Sequence, residues 1–332
     1  MNVSVIGAGS WGSALAMHLA RSGCRVSLWA REAEVVDGIR AHRRNPLFLP
    51  DFTFPDHVDP STSLAEVAAG AEAVVLVVPV QFLRSVLAEL APHLPSDAPV
   101  VSASKGIEVS SLARVDEIVA AELHAGADRF VALSGPSFAR EVAAGLPTAA
   151  VLAGRDEALV ARLQRRFSTA SFRFYSSHDV VGVELAGALK NVVAIAAGMT
   201  TGLGLGHNAL TALLTRGLHE IARLGVKLGG SPETFRGLAG MGDLVLTCTG
   251  ALSRNRQVGE RLGRGESLAE VLSGREVAEG VPTAGAAAEL ARRHGVEMPI
   301  AFAVEAILAG RLTPHDAVIA LMTRELKVEA VL

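Results

Sequence analysis

Lys190 is the residue whose surroundings most invite chemistry. It lies in DVVGVELAGALKNVVAIAAGMTTGLGLGHN (179–208), an apolar stretch of roughly five helical turns that leaves through a glycine-rich exit. At helical spacing Val181, Leu185, Leu189, Val192 and Ala196 form a core-facing stripe, and Gly182, Ala186, Lys190, Ala194 and Ala197 form a second face of small residues. A surface lysine commonly has an acid three or four positions away, but those positions here are Ala186, Gly187, Val193 and Ala194. Small neighbours admit a ligand or a second backbone close to the helix, and Asn191 adds another polar group. A catalytic lysine and a lysine snorkelling out of a core helix both satisfy this pattern.

A second centre has the chemistry of anion binding. Residues 2–31 read as strand, tight turn, helix and strand, and the turn GAGSWG sets Gly7, Gly9 and Gly12 in the order GxGxxG. The first glycine permits the turn, the second lets a pyrophosphate reach the backbone, and the third lets helix and strand pack closely. The helix start then offers unpaired N–H groups and positive potential to phosphates. Dinucleotide binding is therefore favoured over a purely structural turn. An acid at the end of the second strand would mark NAD, whereas Trp29, Ala30 and Arg31 stand there and Glu32 only follows. Arg31 suits a 2′-phosphate and an adenine face, which favours NADP, or dual use, over strict NAD; a solvated arginine is the alternative.

Positioning these groups takes an alternating chain. Helices at 64–69 and 82–90, with strands at 73–79, 99–106, 130–135, 148–154 and 172–176, predict a mostly parallel sheet covered on both faces. Ligands gather outside the carboxyl ends of such strands, which singles out 79–82, Lys105 with Gly106, and Gly135 to Ser137. Lys105, closing a buried strand, can meet a phosphate or a carbonyl oxygen. GPSFAREVA (135–143) adds backbone and hydroxyl donors, although turn chemistry alone explains Ser137 equally well. The proline-rich, locally basic segment 41–57 reads as a surface excursion with Arg43 and Arg44 solvated.

After a linker at 175–178 the period changes to Ala- and Leu-rich helices up to about 323. The expected division is a dinucleotide-binding domain over 1–177 and an all-α substrate-binding and catalytic domain over 178–332. In the latter, GMGDLVLTCTG (240–250) puts Asp243 at a glycine-rich helix entrance with Thr247 one turn later on the same face; a simple capping role for Asp243 stays open. Ser253 reads as the N-cap of SRNRQVGERLGRG, so Arg254 and Arg256 fall in the first turn, where each opposes the helix dipole by about a few tenths of a kcal/mol. That arrangement makes sense with an anion at the helix end, making Ser253, Arg254 and Asn255 a candidate phosphate site; an incidental arginine-containing turn is the alternative. Periodicity assigns no role to Glu279 in the loop VAEGVPTA (277–284).

The whole chain narrows the partners. At 332 residues it is long for a single core, and half its residues are hydrophobic. A net charge of −3 with interspersed signs supplies no broad basic field for nucleic acid or an anionic membrane, so a small-molecule partner is expected. Cys24 and Cys248 fall in different elements and make neither a disulfide framework nor a metal site, which fits a reducing cytoplasm and no metal. A strand at the start, and no run of 18 apolar residues uninterrupted by polar groups, argue against export and membrane insertion.

Taken together, GAGSWGSALA, VVPVQFLR, SASKGIE, LSGPSFAREVA, GVELAGALKNVVAIAAG, GMGDLVLTCTG, SRNRQVG and VAEGV, in this order along nearly the whole chain, resemble the bacterial NAD(P)-dependent sn-glycerol-3-phosphate dehydrogenases. The resemblance implies a Rossmann-type domain followed by a helical domain similar to that of 6-phosphogluconate dehydrogenase. It also implies a soluble homodimer that supplies glycerol 3-phosphate for phospholipid synthesis. By it, Lys190 is the acid/base that protonates the carbonyl oxygen of dihydroxyacetone phosphate, with its pKa lowered by burial beside a cation such as Lys105. Asp243 and Asn191 orient the lysine and the substrate hydroxyl. Ser253, Arg254 and Asn255 receive the substrate phosphate, and Gly135, Ser137, Lys105 and Thr247 join the substrate site. Cofactor contacts fall, beside the three glycines, to Ser10, Trp11, Arg31, Lys105, Ala139, Arg254, Val277 and Glu279, with Phe82 packing nearby. Phe48 and Asp51 depart from the family's usual Tyr and Gly.

Two rivals share parts of this pattern. The β-hydroxyacid dehydrogenases have the same architecture but separate their lysine and asparagine by a helical turn, whereas Lys190 and Asn191 are adjacent. A non-catalytic dinucleotide sensor has no need of Lys190, Lys105 and Asp243 together.

Overall fold

The computed structural model describes residues 1–123, 127–274, 278–326 and 328–329. The chain forms two compact units, 1–104 with 115–180 and 105–114 with 181–332. In the first unit the order is β1 (Asn2–Ile6), α1 (Ser10–Arg21), β2 (Arg25–Trp29), α2 (Ala33–His42), β3 (Val58–Ser61), α3 (Leu64–Ala68), β4 (Ala73–Leu76), α4 (Val80–Leu90), β5 (Val100–Ser102), α5 (Val115–Leu123), β6 (Phe130–Ser134), α6 (Ala139–Ala144), β7 (Thr148–Gly154), α7 (Glu157–Phe167) and β8 (Phe172–Ser177). One sheet takes them in the order β3-β2-β1-β4-β5-β6-β7-β8, parallel throughout except where β6 meets β7. Every residue of β4, β5 and β6 is buried, as strands covered on both faces require. The chain reverses its progress across the sheet between β1 and β4, and the crevice of a doubly wound sheet opens at that point.

Several local expectations are corrected. β3 falls where no strand was expected, because Pro60 argues against one; at the sheet edge a missing N–H breaks no ladder bond. Residues 175–176, where the expected strand and linker overlapped, and Ser177, expected only as linker, all pair with β7. The 41–57 segment runs along the surface but is anchored to the core, since Asn45, Leu49 and Phe54 are 0, 1 and 2 % exposed. Arg43 is not solvated either: it closes α2 in the left-handed region and donates to the carbonyls of Val58 and Pro55. Arg44 is exposed, as expected.

The second unit is helical among its described residues: α8 (Val180–Gly202), α9 (Gly206–Lys227), α10 (Pro232–Arg236), a π-helical turn (Leu238–Gly242), α11 (Asp243–Thr249), α12 (Arg254–Gly263), α13 (Leu268–Val271), α14 (Gly280–Arg293), α15 (Pro299–Leu308) and α16 (Pro314–Met322). α8 is long and apolar enough to cross a bilayer, but 83 % of its apolar window is buried inside the protein. Its packing against α12 is unusually close. A Cβ on Gly198 would lie 1.9 Å from the Arg256 carbonyl oxygen, and one on Gly259 would lie 1.9 Å from that of Ile195. Gly202 and Gly263 continue the same seam one turn on, so two helix backbones touch where side chains would normally intervene.

The units are not the contiguous halves expected from the sequence. Residues 105–114 leave the sheet after β5 and join the helical unit, where Ile107 is fully buried in its core and Leu112 packs against it. Periodicity reports what element a segment forms, not which core receives it.

Candidate active site

In the helical unit Lys190 is 6 % exposed, in the middle of α8. Its Nζ donates to Asp243 Oδ1 at 2.5 Å and to Thr247 Oγ1 at 2.8 Å, using two of the three N–H donors of an ammonium. The carboxylate absent from its own helix comes from α11. The π-helical turn before α11 allows this: a Cβ on Gly240 would sit 2.2 Å from the Phe235 carbonyl oxygen, so the chain enters α11 tightly coiled. Asp243 opens α11 but makes no capping bond; its Oδ2 accepts from Lys105 Nζ at 2.7 Å. Thr247, one turn on, returns its hydroxyl proton to the Asp243 carbonyl at 2.6 Å, which leaves its oxygen as an acceptor for Lys190.

Two cations thus share one buried carboxylate. Burial pushes the Lys190 pKa down to about 8; Asp243 opposes the shift and Lys105 adds to it. Burial alone would raise the Asp243 carboxyl, but the Lys105 and Lys190 ammonium groups overcome it and hold the carboxyl below its usual range. Cys248, beside them, is pushed up to about 12 by burial and stays a neutral thiol. The result is a lysine whose pKa falls to about 8, held beside an ionised carboxylate.

Asn191, next along α8, accepts from Asn255 Nδ2 at 3.0 Å, and Asn255 Oδ1 accepts from the Gly280 N–H at 2.9 Å. The Asn255 amide is therefore turned inward, tying α8, α12 and the start of α14 together. Of the expected anion site at the start of α12, Ser253 caps the helix by accepting from the Arg256 N–H at 3.2 Å. Arg256 is held by Glu260 and the Gly250 carbonyl. Arg254 is exposed. A first turn without acids, with Arg254 beside it, fits an anion.

In the first unit Gly7 follows β1 with φ +115°, and a Cβ there would strike the Val77 carbonyl oxygen at 2.6 Å. A Cβ on Gly12 would meet the Gly7 oxygen at 1.8 Å, whereas one on Gly9 would meet nothing within 4 Å. The turn is thus closed on two sides and open on the third. There α1 begins with no acid in its first turn and no side-chain cap. These residues fit the pyrophosphate of a dinucleotide.

This pairing of centres agrees with the comparisons. Residues 2–160 match the family model of the N-terminus of NAD-dependent glycerol-3-phosphate dehydrogenase, and residues 179–319 match that of its C-terminus. The chain belongs to the NAD-dependent glycerol-3-phosphate dehydrogenase family. It is 56 % identical over 329 residues to the glycerol-3-phosphate dehydrogenase [NAD(P)+] of Geobacter sulfurreducens, covering 98 % of each chain. The enzyme of the same name from Syntrophotalea carbinolica is 52 % identical, with 99 % of each covered. The crystal structure of glycerol-3-phosphate dehydrogenase from Coxiella burnetii superposes with a TM-score of 0.93 at 40 % identity, covering 97 % of this chain and 99 % of that one.

The remaining family positions vary in availability. Ser10 donates to the Phe48 carbonyl at 2.8 Å, and the buried Trp11 ring nitrogen meets no partner among the described residues. Arg31 is 74 % exposed and paired with Glu32 at 2.8 Å, so a 2′-phosphate would compete with that acid. Phe82 is 53 % exposed on α4, and Ala139 opens α6. Gly135 takes φ +146° with Ala150 against it, and the Ser137 hydroxyl donates to the Gly135 carbonyl at 3.0 Å, the turn chemistry open from the sequence. Glu279 sits at the N-cap position of α14. Val277 lies outside the described residues. No group of three or more His, Cys, Asp or Glu arranged for a metal occurs among the described residues. Sequence reasoning missed Asn45, buried beneath the glycine-rich turn; its Asn-Pro dipeptide signals a turn but not the carbonyl the side chain reaches.

Proposed function

We propose that this protein interconverts dihydroxyacetone phosphate and sn-glycerol 3-phosphate with NAD(P)H, and that Lys190 is the acid/base. The observation that carries the reading is the Lys105–Asp243–Lys190 chain around a buried carboxylate, which keeps an ammonium in place with a pKa of about 8 and one N–H unspent among the described residues. A reduced nicotinamide, when bound, supplies the hydride. Lys190 delivers the proton to the carbonyl oxygen, and Asp243 and Thr247 keep its Nζ in one place while it does so. Lys105 adds positive charge where the oxygen becomes anionic. Ser253 and Arg254, with the first-turn N–H groups of α12, hold the substrate phosphate, and Asn191 orients the substrate hydroxyl. Asn255 acts there through its backbone, because its amide is committed to Asn191 and Gly280. Thr247 completes the substrate contacts within the helical unit. The glycine-rich turn, with Ser10, Trp11, Phe82 and Ala139, receives the cofactor.

NADPH is favoured over NADH because Arg31 stands two residues past the end of β2 with no acid between. The product serves phospholipid synthesis in the cytoplasm, a compartment supported by two free, buried cysteines. The enzyme is a homodimer; Met241, Val245 and Leu252, each more than 40 % exposed, are apolar side chains a second copy would cover.

The deciding assay follows reduced-nicotinamide absorbance on adding dihydroxyacetone phosphate, with NADPH and NADH in parallel and unphosphorylated dihydroxyacetone as control. Turnover of the phosphorylated substrate alone is expected, faster with NADPH. Equal turnover of the unphosphorylated ketone would remove the phosphate site from the account, and no turnover despite cofactor binding would favour the hydroxyacid dehydrogenases.

A further inference from the structure

Asn45 is wholly buried, and every polar position of its side chain is used. Nδ2 donates to the Ala8 carbonyl at 2.8 Å and to Ser13 Oγ at 2.9 Å. Oδ1 accepts from the N–H groups of Leu47 and Phe48 at 3.2 and 3.1 Å. A carboxamide offers two donors and two lone pairs, so the group is saturated. Its donors reach the GxGxxG turn on both sides, at Ala8 between the first two glycines and at Ser13 just past the third.

The segment that carries Asn45 is itself fixed. Leu49 and Phe54 are in the core, Arg43 is bound to two carbonyls, and Asp51 pairs with Arg140 of α6 at 2.5 Å. Pro46 rests where a Cβ on Gly38 would be, 2.6 Å from its Cδ. The geometry of a trans peptide then does the rest: the Ala8 carbonyl and the Gly9 N–H belong to one plane and point in opposite directions. Turning the oxygen in toward Asn45 turns the Gly9 N–H the opposite way, and at Gly9 itself a Cβ would meet nothing within 4 Å, so the backbone there is open to a close approach.

We infer that Asn45 is a positioning residue for the dinucleotide, holding the Ala8–Gly9 peptide so that the Gly9 N–H faces the phosphates. This rests on the reading that the glycine-rich turn takes the cofactor. Replacing Asn45 leaves the Ala8 carbonyl with only the longer bond from Ser13 Oγ, at 3.2 Å, and strands the N–H groups of Leu47 and Phe48; the loosened peptide weakens cofactor binding more than it slows the chemistry.

NADPH titrations of the wild type, Asn45→Ala and Asn45→Asp, read by the fluorescence of Trp11 and Trp29, test this beside thermal melts and kcat at saturating cofactor. Asn45→Ala should weaken NADPH binding about tenfold to a hundredfold, with kcat within about threefold. Asn45→Asp keeps the acceptors but sets a carboxylate against the Ala8 carbonyl, so its affinity should be poor at pH 8 and recover on acidification, when a protonated carboxyl donates again. Should Asn45→Ala fail to fold, Asn45→Asp and Ser13→Ala decide; the latter loses the longer bond to the Ala8 carbonyl but keeps the shorter one from Asn45, and should cost less than about threefold. Unchanged affinity in a folded Asn45→Ala, or an Asn45→Asp defect that acid does not relieve, would overturn the inference and leave Asn45 a stabilising residue only. Wild-type protein that binds no NADPH would instead overturn the cofactor reading beneath it.

Discussion

At the scale of single residues, the site depends on one carboxylate serving two cations. Asp243 raises the Lys190 pKa while burial and Lys105 lower it, and the balance falls at about 8. In the proposed mechanism reduction needs the protonated lysine and oxidation the neutral one. Hence kcat/KM for dihydroxyacetone phosphate should fall above about pH 8, and that for glycerol 3-phosphate should rise over the same range. Asp243→Asn removes the charge that props up the lysine, so the reduction profile should break at lower pH and its plateau drop by about a hundredfold or more. A pH–rate series of both proteins in both directions checks this; superimposable profiles would mean Lys190 does not carry the proton. The sequence exposed Lys190 because no acid stood near it, and Asp243 because of its glycine-rich surroundings. It could not join them, since the 2.5 Å contact spans 53 residues and depends on a π-helical turn that no periodicity reveals. Asn255 shows the converse, a residue of the expected type in the expected place with its amide facing the other way.

At the scale of elements, the α8–α12 seam fixes the lysine relative to the start of α12, where the substrate phosphate is proposed to sit. Gly259→Ala would drive a methyl into the Ile195 carbonyl. Overpacking of this kind costs about 1–3 kcal/mol or more, so calorimetry should show Tm lowered by roughly 2–12 °C for a unit of this size, with activity falling as the helices part. A second helix contact is sensitive to acid. Glu220 on α9 is 4 % exposed and accepts from the N–H groups of Ile300 and Ala301 at the start of α15. Burial raises its pKa to about 7 despite those bonds and despite Arg223 and Arg324. The folded protein therefore keeps a proton that the unfolded chain releases near pH 4.5, and this group's contribution is full below that pH and is lost as pH rises through 7. Urea midpoints at pH 5 and 7.5 should differ less in Glu220→Gln than in the wild type, by up to about 3 kcal/mol of unfolding free energy. Much of this scale was legible: β7 falls where alternation put it, and α8 was marked by its small-residue face. β3 and the 41–57 segment were not, because edge position and burial are tertiary facts.

At the scale of the molecule, the helical unit borrows residues 105–114 from the midst of the sheet-forming sequence. A fragment spanning 178–332 would lack Ile107, which is fully buried in its core, and would leave Asp243 with one cation. It should expose apolar surface, seen as dye binding and a weak near-ultraviolet signal, and co-expression with 1–177 should relieve both. A fragment that folds with native-like cooperativity would show that the borrowed segment is dispensable to the unit.

That borrowing also bears on heredity. A gene crossover near codon 178 would look harmless, since it separates two stretches that each match their own family model. Yet it would bring together a Lys105 selected alongside one Asp243 and an Asp243 selected alongside another lysine. Chimaeras of diverged parents should therefore fail more often when the 105–114 segment and the C-terminal half come from different ancestors. Grafting that segment back from the C-terminal parent should restore them, so the unit of inheritance for this centre is discontinuous in the gene.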